Sequence, residues 1–209
     1  MPVSYSILSK GRKEAFDKFG SLYQLPIIRS PYDYLRKQFT GGKVLDVGAG
    51  ADLYVRQLLR LDDDSYHSLD NDPDGQFTYR DVKEIPSSRL YDWMVLNQVL
   101  EHLTINDTAE LLKNLVDHLR PGGMFLATIP NTAHPVRYRT ETHVTPWSYT
   151  GLYAICTASG YQVQQIYRYN KERFPLDPFS WLIERMMRRI YRIDWCDSIL
   201  LIAAIEETT

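Results

Sequence analysis

The sequence predicts an α/β domain with a mostly parallel sheet and helices on both of its faces. Three observations carry that expectation. Lys43 to Asp52 reads Lys-Val-Leu-Asp-Val-Gly-Ala-Gly-Ala-Asp, a short apolar strand running into two glycines and then a helical pattern. Strand-like and helix-like segments alternate across residues 43–169, as in chains that build parallel sheets. Trp93 to Leu96 is continuously apolar, the signature of a strand covered on both faces.

Length and composition bound the answer. The chain has 209 residues, enough for one domain with a sizeable core, and its 44% hydrophobic and 24% charged content is that of an ordinary globular protein. A net charge of -2 gives no general electrostatic case for nucleic acid, which would need a local basic patch. Cys156 and Cys196 are far apart in sequence and read as reduced, buried thiols. The start, Met-Pro-Val-Ser-Tyr-Ser, lacks a basic region followed by an apolar run, and no apolar stretch is long enough to span a membrane. The expectation is a cytoplasmic chain, membrane-peripheral at most.

Residues 1–42 are expected to form a helical cap. It contains a helix from Gly11 to Phe19, a turn at Tyr23 to Pro26, and a helix that Ser30 caps and Pro31 opens, running to Phe39. The core, 43–169, starts with the strand Val44 to Val47. Asp46 sits near its end, Gly48 and Gly50 follow, and Asp52 is placed to cap the next helix. The turn is not a dinucleotide fingerprint, because Leu53 stands where the third glycine of GxGxxG belongs, and no Gly-Lys-Ser or Gly-Lys-Thr ending marks a P-loop. A carboxylate two places before Gly48 would repel phosphate and suit a cation such as an amino group with a sulfonium.

The second strand, Ser65 to Asp70, ends 20 positions after Gly50. An acidic side chain at that spacing can accept from both ribose hydroxyls of an adenosine-containing ligand. The lesser alternative is that Asp70, Asn71 and Asp72 merely form a polar turn. Phe77 to Val82 reads as the third strand and Tyr91 to Asn97 as the fourth, followed by Gln98-Val99-Leu100-Glu101-His102. Ile105, Ala109, Leu112, Val116 and Leu119 form one helical stripe, with Thr104 or Asn106 as its cap and Pro121-Gly122-Gly123 as its stop. Met124 to Ile129 is the fifth strand. A polar, aromatic loop over 131–147 holds Arg137, Tyr138, Arg139 and His143 and leads into a helix from Tyr149 to Ser159. A sixth strand ends at Tyr169. Residues 170–194 are an insertion whose helix opens at Asp177-Pro178, with Phe179, Leu182, Ile183, Met186, Ile190 and Ile193 apolar and Arg185, Arg188, Arg189 and Arg192 basic. Residues 195–209 hold the last strand.

Asp46-Val47-Gly48-Ala49-Gly50 resembles motif I of the class I S-adenosylmethionine-dependent methyltransferases. Asp70 is consistent with motif II, and Asp81 resembles the position whose carboxylate takes the adenine amino group. Asn97 to His102 resembles motif IV of small-molecule members, with its Leu-Glu-His. Arg120-Pro121-Gly122-Gly123 and the strand after it match the motif beyond the catalytic loop. The resemblance covers residues 40–169 and the last strand. It implies a Rossmann-like sheet of seven strands, six parallel and the last antiparallel, with S-adenosyl-L-methionine as cofactor. The implied cofactor set is Asp46, Gly48, Ala49, Gly50, Asp70, Asn71, Asp81, Val82, Asn97 and Gln98. Methyl would pass to a small-molecule or lipid-like acceptor, with oxygen the favoured atom.

Two departures are visible. Many members have a glycine at the place of Asp52, and some quinone-pathway O-methyltransferases that resemble this chain have acidic groups at the places of Asn97 and Gln98. No metal is therefore assigned. Glu101 and His102 can act as acid and base, hold a metal, or simply open the next helix. Many members also carry a histidine before the helix that precedes the sixth strand, so His143, with His102, is the candidate base. A rival reading is a non-catalytic module that docks on a membrane or partner through the basic amphipathic stretch 177–193. A nicotinamide-dependent oxidoreductase is disfavoured by Leu53 and Asp46.

Overall fold

β2 (Val44–Val47) is buried along its whole length, and the domain is built outward from it. The computed structural model describes residues 4–136, 140–170 and 178–206. β2 pairs in parallel with β3 (Tyr66–Leu69) on one side and β4 (Tyr91–Asn97) on the other. β4 pairs in parallel with β5 (Leu119–Pro130), and β5 pairs antiparallel with β7 (Ser198–Ala204). β7 also runs against β6 (Gln162–Tyr169), whose far edge takes the two-residue β1 (Ile27–Ile28) in parallel. The order is β1-β6-β7-β5-β4-β2-β3, with β7 reversed against the other six.

Period-two alternation divides the strands between two apolar layers. Leu45, Met94 and Leu96 face the layer that holds α1 (Tyr5–Phe19), α4 (Ile105–Val116) and α5 (Tyr149–Ala158). Val44, Trp93 and Val95 face the layer with α2 (Pro31–Gln38) and α3 (Tyr54–Leu59). Cys156 and Cys196 are free and buried, and burial pushes both thiols up.

Four local expectations are corrected. Phe77 to Val82 is not a strand. It makes one bridge, Leu69 to Tyr79, then turns into a 3-10 helix at Val82–Glu84 that Asp81 caps. Side-chain bonds take the place of a ladder there, Ser68 N–H to Thr78 Oγ1 at 3.1 Å and Thr78 N–H to Ser68 Oγ at 3.0 Å. The seventh strand is β1 instead. Asp52 does not cap α3: Leu53 occupies the cap position in a left-handed conformation, φ 46°, and only the Asp52 carbonyl is used, by Gln57 Nε2. α1 starts at Tyr5, capped by Ser4, and passes through Gly11. A Cβ at Gly11 would stand 2.7 Å from Ala154 Cβ, so this glycine lets α1 lie directly on α5. Finally, α4 ends at Val116, ahead of Pro121, and residues 121–123 already belong to β5.

Ser30 caps α2 as the pattern requires, accepting from the N–H groups of Tyr32 and Asp33. Thr104, not Asn106, caps α4. The 170–194 segment contains α6 (Pro178–Tyr191); Asp177 lies outside the described residues. Among the described residues no helix is long and apolar enough to cross a membrane.

Candidate functional site

The parallel strands deliver their carboxyl ends to one edge of the sheet, where open α/β folds bind ligands. Two cavities lie along that edge and share Gln98. The larger, about 480 Å³, is lined by Val47, Gly48, Leu69, Asp70, Asn71, Arg80, Asp81, Val82, Gln98, Val99, His102 and Leu103, among others. The smaller, about 290 Å³, is lined by Pro31, Tyr32, Asn97, Gln98, Thr128, Pro130, Tyr169, Asp197 and Ser198.

The larger cavity is shaped by the glycine turn. Gly48 has φ 68°, and a Cβ there would meet Val99 Cγ2 at 2.4 Å. A side chain would therefore be both strained and in collision. Gly50, φ 64°, donates its N–H to Asp70 Oδ2 at 2.9 Å, which ties the turn to the end of β3. Asp70 Oδ1 accepts from Asp72 N–H at 3.0 Å, so the polar-turn role is real as well. A carboxylate has room for further donors after these two. Asp81 uses one oxygen to accept from Lys83 N–H. Asn71 and Val82 line the same wall, while Ala49 is half-buried in the turn.

Asp46 lies behind the turn rather than in either cavity wall. It is 3% exposed and accepts from the Tyr66 hydroxyl at 2.8 Å. Burial pushes its carboxyl up to about 7; the Tyr66 bond opposes this and Asp70 adds to it. A cation nearby would draw it back down.

Gln98 joins the two cavities in a left-handed conformation, φ 57°. Such strain in a residue other than glycine, of order 1–3 kcal/mol, persists where the surroundings enforce it. Here Gln98 N–H donates to Thr128 O and Oγ1, Gln98 Nε2 also reaches Thr128 Oγ1, and that hydroxyl donates to Asn97 Oδ1 at 2.7 Å. Thr128 thus sets both Asn97 and Gln98.

His102 and His143 meet, with ring centroids 5.0 Å apart. The loop is sewn onto the turn Leu100–His102: Val144 and Thr145 N–H donate to Glu101 O, and Trp147 Nε1 donates to Leu100 O. His102 Nδ1 lies 3.1 Å from Thr142 O. A carbonyl only accepts, so this ring nitrogen carries the proton. Glu101 is 1% exposed, neither carboxylate oxygen has a hydrogen-bond donor, and burial pushes it up to about 7. One ligand atom each from Glu101, His102 and His143 lies within 4.8 Å of the others. These three could relay a proton or hold a cation, a grouping the sequence reading did not assign to metal. His102 borders the larger cavity; His143 is not among the lining residues of either. Arg137, Tyr138 and Arg139 lie outside the described residues.

Sequence reasoning missed Tyr32, Thr128, Tyr169, Asp197 and Ser198. One signal was available for the last two: a reversed final strand places its amino end, not its carboxyl end, at this edge.

Comparison with known proteins agrees with this architecture. Residues 23–166 match the family model described as a methyltransferase domain, well over half of the chain. The chain is similar to the ubiquinone biosynthesis O-methyltransferases of Rickettsia akari, 24% identical over 136 residues, and Rickettsia felis, 25% over 137. Those matches cover 55% of this chain and 53% and 54% of the relatives, so the chain spans about half of their length. A solved structure of a SAM-dependent methyltransferase from Archaeoglobus fulgidus superposes with a TM-score of 0.60 at 16% identity, covering 96% of this chain and 99% of that one. The N-methyltransferase NodS from Bradyrhizobium japonicum superposes with a TM-score of 0.55 at 14% identity, covering 98% and 99%. At these identities the structures show a shared fold.

Proposed function

The chain belongs to the methyltransferase-domain family, and we propose that it is an S-adenosylmethionine-dependent methyltransferase acting on a small, lipid-like acceptor, at oxygen. The observation that carries this reading is the pair of cavities meeting at Gln98, one with the chemistry for an adenosine and one roofed by aromatic rings.

The residues present fit the cofactor. Gly48 leaves backbone for a close approach, Asp70 can accept from ribose hydroxyls, and Asp81 with Val82 offers a carboxylate and an apolar contact for adenine. Arg80, the cation on this wall, has its guanidinium occupied by the Asp72 and Gly75 carbonyls. When bound, the cofactor supplies a methyl already activated by a sulfonium. The chain therefore has to align an acceptor atom, exclude water and take a proton. Asn97 and Gln98, fixed by Thr128, orient the groups at the junction. Tyr32, Tyr169, Pro31 and Pro130 line the proposed acceptor cavity.

For the proton, Asp197 is the carboxylate that lines the smaller cavity. His102, backed by His143 and Glu101, is the alternative on the other side of Gln98. Oxygen as the acceptor atom is supported by the names of the two Rickettsia relatives. A second reading, a cofactor-binding module without turnover, is favoured by the exposed apolar face of α6.

Calorimetric titration with S-adenosylmethionine and its demethylated product, with NAD as control, is the first test. Binding of both sulfur compounds and not NAD is expected. Turnover is then sought on phenols, sugars and quinone-like lipids. Binding without turnover on any acceptor supports the second reading, and no binding at all overturns both.

A further inference from the structure

α6 is amphipathic in the reverse sense for a helix lying on a protein. Among the described residues its least exposed positions are Glu184, Met187 and Arg188, two of them charged. Glu184 and Arg188 form an ion pair one turn apart, with side chains 12% and 26% exposed. The Arg188 guanidinium also lies over the Tyr23 ring, 5.6 Å from its centroid. Phe179, Ile183, Met186 and Ile190 follow one another at helical spacing of three and four. That apolar face points to solvent: Phe179 is 71%, Met186 52% and Ile190 61% exposed. Leaving such a stripe in water is unfavourable.

Charge and position say what covers it. Arg185 and Arg189 are exposed and, one turn apart, fall on one flank of the stripe; Arg192, also exposed, follows the end of the helix, and the only acid in α6, Glu184, is already paired with Arg188. Trp181, exposed, carries the Arg185 guanidinium 5.3 Å from its ring centroid, a pair suited to the boundary between water and lipid. The 14 residues of α6 give a rod about 20 Å long, which suits lying in an interface rather than crossing it. The insertion leaves the sheet at Tyr169 and returns at Asp197 and Ser198, all three lining the smaller cavity. Its return is clamped where Asp194 N–H donates to Ala133 O.

We propose that α6 docks this chain on an anionic phospholipid bilayer, with the Phe179–Ile183–Met186–Ile190 face in the acyl boundary and Arg185, Arg189 and Arg192 on lipid phosphates. Docking opens the smaller cavity beside the membrane surface, where a lipid-like molecule is concentrated. The docking itself rests on α6 and not on the methyltransferase reading; only the role given to the smaller cavity rests on that reading.

The test is co-sedimentation of the full chain with vesicles of phosphatidylcholine alone and of phosphatidylcholine containing about one third phosphatidylglycerol. The variants are Ile183→Glu/Met186→Glu and Arg185→Glu/Arg189→Glu. All four positions are exposed, so thermal midpoint and S-adenosylmethionine titration should stay at parent values and report folding and the cofactor site separately. The expected result is sedimentation with the anionic vesicles, weakened by salt, and reduced about tenfold or more in both variants. The proposal is overturned if the parent stays in the supernatant, or if neutral and anionic vesicles bind it equally. It is also overturned if the variants bind as well as the parent. A concentration-dependent dimer that Ile183→Glu/Met186→Glu abolishes, without vesicle binding, would give the face to a second copy instead.

Discussion

Arg168 Nη1 and Asp194 Oδ1 lie 3.0 Å apart, with side chains 4% and 0% exposed. Arg168 also donates to the Leu25 and Tyr23 carbonyls, and Asp194 Oδ2 accepts from Asn131 Nδ2 at 2.8 Å. One buried ion pair thus joins the N-terminal cap, β6, the end of β5 and the returning insertion. Removing one partner leaves the other charge buried and uncompensated. Asp194→Ala is therefore expected to lose about 3–5 kcal/mol of unfolding free energy, measured by denaturant titration. Arg168→Leu added to it should lose much less than a second equal amount, because the stranded charge is then gone.

Asp70 is expected to matter to cofactor affinity far more than Asp63. Asp63 is a surface partner of Arg56, whereas Asp70 faces the larger cavity and holds Gly50 N–H. A hydrogen bond to a charged group contributes about 1.5–3 kcal/mol. Asp70→Ala should therefore weaken S-adenosylmethionine binding by about tenfold or more, with Asp63→Ala near parent affinity in calorimetry. Equal effects would sink the assignment.

Gly48→Ala should both destabilise the fold and block the cavity. The φ of 68° would cost about 1–3 kcal/mol for a residue with a side chain, and the collision with Val99 adds to that. Gly48→Ala/Val99→Ala should recover the part due to collision and not the part due to φ. A thermal melt of the parent and both variants separates the two.

Stability should fall between pH 5 and pH 8 by an amount that Glu101→Gln reduces. Glu101 is raised by burial to about 7 in the folded chain, against about 4.3 when unfolded. Below the unfolded value both states hold the proton and the contribution is fully present. As pH rises the unfolded chain loses its proton first, so the contribution is lost progressively up to about pH 7. The difference in denaturation midpoint between Glu101→Gln and parent, read at both pH values, isolates this group from the other carboxyls. Unchanged differences would show that Glu101 is ionised in the folded chain.

The sheet was readable where one strand's own residues decide its fate. Trp93 to Leu96 is apolar on both faces, and Val44–Val47 is apolar apart from Asp46 near its end, so a buried strand suits both. Phe77 to Val82 misleads because Thr78 bonds Ser68 through side chains, a partner ten residues away, and Asp81 caps a local turn through Lys83 N–H. β1 was invisible for the same reason: two isoleucines after Pro26 make a strand only because Arg168 N–H finds the Pro26 carbonyl. Gly11 looked like a helix start, and only the presence of Ala154 explains it inside one. In the candidate site, the glycine turn and Asp70 are legible from pattern and spacing, and Asn97 and Gln98 from the resemblance to motif IV. Thr128, Tyr169 and Asp197 are not, because their relevance comes from where β5, β6 and β7 end in space.

The reversed β7 divides the labour of the chain. Most of the larger cavity, from Val47 to Leu103, comes from the first half of the sequence; Thr128 to Ser198 supply the far wall of the smaller. β6 leaves the sheet at Tyr169 directly opposite Ser198, where β7 enters, so the segment between the two strands is attached at the wall of the smaller cavity and away from Asp70 and Asp81 of the larger. Exchange of that segment for one of different length or polarity is therefore expected to alter the smaller cavity while S-adenosylmethionine affinity, read by calorimetry, stays at its parent value.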